Sequence, residues 1–85
     1  MRLREDGVTW QEIDGELVIL DLSSSTYLTT NGSGAFAAKL LQEDRTTDDL
    51  AGALVAEYGI SADLAQHDAE AFVEALRERG LLVED

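Results

Sequence analysis

The sequence predicts an α+β fold of winged helix-turn-helix-like order: a three-stranded antiparallel β-meander followed by three α-helices. Three observations predict it. Residues 8–30 hold three short runs rich in β-branched and aromatic residues, divided by Asp14-Gly15 and by Ser23-Ser24-Ser25. From residue 35 onward the apolar residues recur at helical spacing. Glycines and capping residues cut that second half into three segments. With 85 residues, one domain spanning 1–85 is expected. A chain this short buries only roughly 60–65% of its unfolded surface, so its core is thin.

The first strand is Val8 to Ile13, with Val8, Trp10 and Ile13 as candidate buried residues. Asp-Gly between two apolar runs is a strong two-residue hairpin signal. Leu17 to Leu22 is apolar on both faces and suits a central strand. Thr26 to Thr30 sets Tyr27 and Leu28 among threonines, which suits an edge strand. Asn31-Gly32-Ser33-Gly34 breaks the strand and offers Asn31 or Ser33 as an N-cap. The first helix is Ala35 to Gln42, with Phe36, Ala37, Leu40 and Leu41 on its apolar side. Thr46-Thr47-Asp48-Asp49 starts the second, with acids in its first turn. Leu50, Leu54 and Tyr58 share one face, and Gly59 fits the C-cap. Ser61 caps a third helix that runs to Arg79 and stops at Gly80. Leu81-Leu82-Val83 is a short apolar tail expected to pack back on the core.

Charge and composition exclude several functions. Asp plus Glu number 18 against 6 Lys plus Arg, a formal net charge of −12. Binding a nucleic-acid backbone needs clustered cations. Here Arg2, Arg4, Lys39, Arg45, Arg77 and Arg79 are scattered and outnumbered, so no nucleic acid is expected as partner. The charge either steers a basic partner or keeps a small domain in solution. No apolar run approaches the ~20 residues that span a bilayer, so no membrane partner is expected. There are no cysteines, which fits a reducing cytoplasm. No N-terminal stretch reads as a signal peptide.

No catalytic or cofactor site is expected. His67 stands alone, with no second histidine or cysteine to make a metal site. Ser23, Ser24 and Ser25 sit where a turn is needed, without a base nearby in sequence. Asn31-Gly-Ser-Gly34 lacks the lysine and spacing of a phosphate loop. Asp48-Asp49 lacks the alternating ligands of a calcium loop. Helix, glycine turn and helix resemble helix-turn-helix geometry. The polar side of the third helix carries Gln66, Glu70, Glu74 and Glu78 with only Arg77 against them, the wrong charge for DNA.

The third helix is the most informative segment. Ala65, Ala69, Phe72, Val73 and Leu76 share one sector, and Leu64, Ala71 and Ala75 widen the apolar arc beyond half the circumference. Either two elements wrap this helix, or part of the arc is an open groove.

Val18-Ile-Leu-Asp-Leu22, a polar turn, Tyr27, and Asn31-Gly-Ser-Gly-Ala35 resemble the PqqD-like family. Its members recognise leader peptides of ribosomally made, modified peptides. Leu40-Leu41, Arg45-Thr-Thr-Asp-Asp-Leu50, Glu57-Tyr58-Gly59 and Leu76-x-x-x-Gly80-Leu81-Leu82 continue the likeness across almost the whole chain. Thr30 departs where an apolar residue is usual, as do Ala37 and Ala38 where Ile and Trp are frequent. The length and the strand-to-Asn segment look most like the leader-binding subunit of lasso-peptide biosynthesis.

That resemblance implies a non-catalytic peptide chaperone without a cofactor. Its partners would be the leader region of a precursor peptide, a leader-cleaving cysteine protease subunit and an ATP-dependent cyclase. An extended leader would add to the third-strand edge, Ser25, Thr26, Tyr27, Leu28, Thr29 and Thr30. Its side chains would enter a groove lined by Ala65, Ala69, Phe72, Val73 and Leu76, with Asp68 and Glu70 receiving a basic residue at the rim. Ala69→Arg would then abolish binding and leave the fold intact. The alternatives are a chaperone presenting the pyrroloquinoline quinone precursor to a radical enzyme, and an acidic inhibitor or DNA mimic that binds a basic partner through its Glu-rich face.

Overall fold

The computed structural model describes residues 1–84, with Asn31 described in its backbone alone. Eight elements follow in order. They are β1 (Arg2–Leu3), β2 (Val8–Ile13), β3 (Glu16–Asp21), β4 (Thr26–Asn31), α1 (Gly32–Leu40), α2 (Thr47–Tyr58), α3 (Ala62–Glu78) and β5 (Leu82–Val83). The expected meander is β2-β3-β4, antiparallel throughout, with β3 central and β4 at an edge. Asp14 and Gly15 take φ of 52° and 82° in the β2–β3 turn. Positive φ at both central residues matches the right-handed twist of the strands, which is why Asp-Gly specifies this turn.

Strand parity decides which side chains reach the core. Leu17, Ile19 and Asp21 alternate inward on β3 and are all buried. Trp10 lies opposite Ile19, and Val8 opposite Asp21, so both face inward and are half-buried. Ile13 has the opposite parity and is 52% exposed, against the expectation that it is buried. A period of two cannot place residues 8, 10 and 13 on one face.

Asp21 is the one buried charged residue among those described. Its Oδ1 accepts from Ser23 N at 3.1 Å and Ser23 Oγ at 2.7 Å, which closes the serine turn. Arg4 Nη2 lies 2.7 Å from the same oxygen. That contact is an ion pair rather than a well-aimed hydrogen bond, because neither Arg4 Nε nor Nη2 has a hydrogen-bond partner. The pair joins the N-terminal segment to the sheet. The same segment forms β1, which pairs with β5 through Arg2–Val83 and Leu3–Leu82. The apolar tail does pack back, with Leu81 in the core. Its strand partner at residues 2–3 has no signal in the sequence, because two-residue strands carry no period.

Caps set the helices. Thr46 Oγ1 accepts from Asp49 N, and Asp49 Oδ2 accepts from Thr46 N, so a capping box starts α2. Gly59, at φ 65°, ends it. Ser61 Oγ accepts from Leu64 N and starts α3. α1 begins at Gly32, three residues before the expected start, so Ser33 lies inside the helix and does not cap it. The other expected cap, the Asn31 side chain, lies outside the described residues. Tyr58 is not a core residue of α2; it is 45% exposed and meets Phe36 edge to face, with centroids 5.7 Å apart.

The Ser23 hydrogen bonds, aided by Arg4, hold the Asp21 carboxyl well below the usual carboxylate range, outweighing burial. A lowered folded-state pKa adds stability above the unfolded value near 3.9, and that stability is lost as pH falls. Asp21→Asn is expected to lower Tm at pH 7. The gap from wild type should narrow as pH drops from about 5 to 3 in thermal melts. A gap constant with pH would remove the charge from the account.

Candidate functional site

The edge of β4 is one of the two open edges of the sheet, the other being β2. β4 pairs with β3 on one side only. Among the described residues, no backbone hydrogen bond reaches its other side. Its side chains alternate. Thr26, Leu28 and Thr30 lie opposite Asp21, Ile19 and Leu17 on the inner face. Tyr27 and Thr29 face outward, and Tyr27 is 67% exposed. Ser25 does not belong to this edge as expected. It lies in the turn, at φ 56°, and β4 begins at Thr26.

α3 forms the facing wall, and two observations fix its placement. A Cβ on Gly34 would overlap Thr30 Oγ1 and meet Phe72 Cε1 at 3.7 Å, so Phe72 reaches the Thr30 end of β4. An open cleft of about 610 Å³ is lined by Ser24, Thr26, Tyr27, Glu78 and Arg79, so the C-terminal end of α3 reaches the Thr26 end. The second half of α3 therefore runs alongside β4 in the opposite direction.

That placement corrects the expected lining. Ala65, Ala69, Val73 and Leu76 are 0–3% exposed and belong to the core cluster with Leu50 and Leu54 of α2. They leave no surface for a ligand, and Ala69→Arg would force a guanidinium into the core rather than spare the fold. At about 100° per residue, the stripe facing β4 is Asp68, Phe72, Ala75 and Arg79, roughly a quarter-turn away. Asp68, Phe72 and Ala75 are half-buried, consistent with a cleft wall. Of the expected α3 residues, Phe72 and Asp68 stand on the cleft stripe. Glu70 is exposed, and its Oε1 accepts from Gln66 Nε2 at 3.0 Å. Ala75 and Arg79 were missed. Helical spacing from Phe72 finds them, but the more apolar stripe drew the assignment.

A second cleft, of about 410 Å³, lies at the other edge of the sheet, lined by residues that include Arg4, Trp10 and Gln42. No group of three or more His, Cys, Asp or Glu that could hold a metal occurs among the described residues. No helix among them is long and apolar enough to cross a membrane.

Residues 16–82 match the family described as Coenzyme PQQ synthesis protein D (PqqD). The chain belongs to the PqqD family. Two solved structures resemble this PqqD-family chain over nearly its whole length. TbiB1 in complex with the TbiA(beta) leader peptide is 30% identical, with a TM-score of 0.86 and 100% of each chain covered. A lasso peptide synthetase B1 complexed with the leader peptide is 29% identical, with a TM-score of 0.83, covering 98% of this chain and 96% of that one. No curated protein matches the sequence. The family match takes in β3, β4 and all three helices, the elements that build the cleft.

Of the glycines, Gly34 is the one with no room for a Cβ, because Thr30 Oγ1 occupies that place. Gly34→Ala is expected to destabilise the fold by about 1–3 kcal/mol, because the new methyl overlaps Thr30 Oγ1 and lies 3.3 Å from Thr30 Cβ, so Thr30 must give way. Thr30→Ala, which removes the overlapping oxygen, should recover part of that loss in a denaturant titration. No recovery would place the strain elsewhere.

Proposed function

We propose that this chain is a non-catalytic module that captures the leader of a ribosomally made precursor peptide, of lasso-peptide type, by strand addition to β4. One observation carries the reading. The unpaired edge of β4 faces the Phe72 stripe of α3, in a chain that matches two leader-bound proteins nearly end to end. Main-chain hydrogen bonds along Thr26 to Asn31 supply affinity that is tolerant of sequence. Alternate leader side chains fall between β4 and α3, where Phe72 gives contact area and Ala75 leaves room. The module holds the leader extended for a leader-cleaving cysteine protease subunit and an ATP-dependent cyclase. This reading places it in the cytoplasm, where the precursor is made.

A second reading follows from the family description, which names coenzyme PQQ synthesis. Presentation of a precursor to a radical enzyme uses the same edge. Full-length likeness to lasso-peptide proteins favours the first reading. An acidic inhibitor would instead bind through the outer Glu-rich face of α3, away from β4.

A synthetic lasso-peptide leader, such as the TbiA(beta) leader bound by TbiB1, provides the test. Its binding is expected to slow hydrogen exchange at β4 amides and to leave β2 amides unchanged. Protection at β2 alone, or none at β4, would overturn the reading. Phe72→Ala should weaken that leader by roughly ten- to a hundredfold, the equivalent of burying one aromatic side chain. Raising salt should slow association if the net charge steers the encounter. A salt-independent on-rate would limit the charge to keeping the chain in solution.

A further inference from the structure

Four of the six basic residues have carboxylate partners. Arg4 pairs with Asp21, Lys39 with Glu12, Arg45 with Glu43, and Arg77 with Glu74 and Glu84. With three acids for every base, a pairing partner is easy to find. Arg79 makes no ion pair among the described residues, although Glu78 shares its cleft. Arg79 Nη1 donates to Ala75 O at 3.2 Å, which leaves most of its five N–H donors unspent. The cleft it lines is otherwise furnished by the hydroxyls of Ser24 and Thr26 and by Tyr27. Glu78 lies about 100° round the helix from Arg79 and so stands at the rim.

Asp68 occupies the other end of the same stripe. It is half-buried and makes no ion pair or side-chain hydrogen bond among the described residues. The wall facing β4 therefore reads acid, Phe, Ala, base along its length. From Asp68 to Arg79 is about 16 Å at 1.5 Å per helical residue. An extended strand covers that distance in about five residues at 3.3 Å each.

We propose that the captured segment carries an acidic side chain opposite Arg79 and a basic one opposite Asp68, about five residues apart. The proposal rests on the leader-capture reading and adds the register of the leader. Arg79 grips a carboxylate through paired N–H donors, a geometry that a lysine or a neutral side chain on the leader cannot use. The order of the two charges also reports strand direction. Antiparallel addition, the more stable pairing, brings the N-terminal end of the segment to Asp68. The basic residue then precedes the acidic one. The net charge of −12 draws any basic peptide toward the chain. The lone cation in the cleft is what distinguishes one alignment of that peptide from its neighbours.

Selection from a displayed library of random 15-residue peptides on the immobilised full chain tests this without knowledge of the natural leader. The expected pool is enriched in Lys or Arg followed, about five positions later, by Asp or Glu. Arg79→Glu should weaken those peptides roughly tenfold, and reselection on it should replace the acid with a base. Asp68→Lys should reverse the other preference. Both sites lie outside the core, so circular dichroism and Tm should match wild type. A pool that protects β4 amides from exchange but has no spaced charge pair, or keeps the same pair on both variants, overturns this inference alone. A pool that protects no β4 amide overturns leader capture and this inference together.

Discussion

α2 and α3 pack against each other, and the fully buried Ala65 and Ala69 of α3 join Leu50 and Leu54 of α2 in one buried seam. A helix side chain points where the rotation of its helix sends it. Once Ala65, Ala69, Val73 and Leu76 are committed to that seam, the direction of every other α3 residue is set. Phe72 is carried toward Thr30 and Gly34, and Arg79 toward Thr26. Larger residues on the seam would move or rotate α3 and shift the wall relative to β4. The cleft is thus a by-product of how the core is filled, and its shape is as fixed as the core.

The sheet meets this constraint from the other side. β4 is held at its Thr26 end by the serine turn, closed on the Asp21 carboxylate. At its other end it runs straight into α1, with Gly34 in the tightest contact. Arg4 contacts Asp21 from the N-terminal segment, while Leu3 N donates to Leu41 O and Arg4 N to Leu81 O at 2.8 Å each. Those links connect the start of the chain, the end of α1 and the C-terminal tail. A thin core leaves few other means of holding the two ends of a short strand, so one buried charge is tolerated where its partners satisfy it.

Much of the fold was legible because its signals are local. Asp14-Gly15, Thr46 with Asp49, Gly59 and Ser61 each act through backbone geometry within a few residues, and each stands where the sequence placed it. The site was legible only in part. The structure puts β4 at an edge and Phe72 near its Thr30 end, yet Ala65, Ala69, Val73 and Leu76, expected to line the cleft, are buried in the core. The more apolar stripe of an amphipathic helix is the one that meets the core. Which second stripe faces a ligand depends on where α2 lies, and no local signal carries that. Ile13 failed for a simpler reason, parity, which the spacing 8, 10, 13 already contained. β1 was invisible because its pairing with β5 is set by tertiary closure rather than by residue preference.

An open strand edge is a hazard, since it offers unpaired backbone groups to any extended chain, including another copy of itself. This sheet has two such edges, β2 and β4, and neither carries a proline. The surface charge works against self-pairing, because two molecules of net charge −12 repel as they approach edge to edge. A peptide that brings positive charge does not meet that barrier. The same acidity that keeps copies apart therefore favours a basic extended chain at the edge. The requirement for an open edge and the excess of acid belong together: an edge left bare for a ligand needs a means of refusing its own kind.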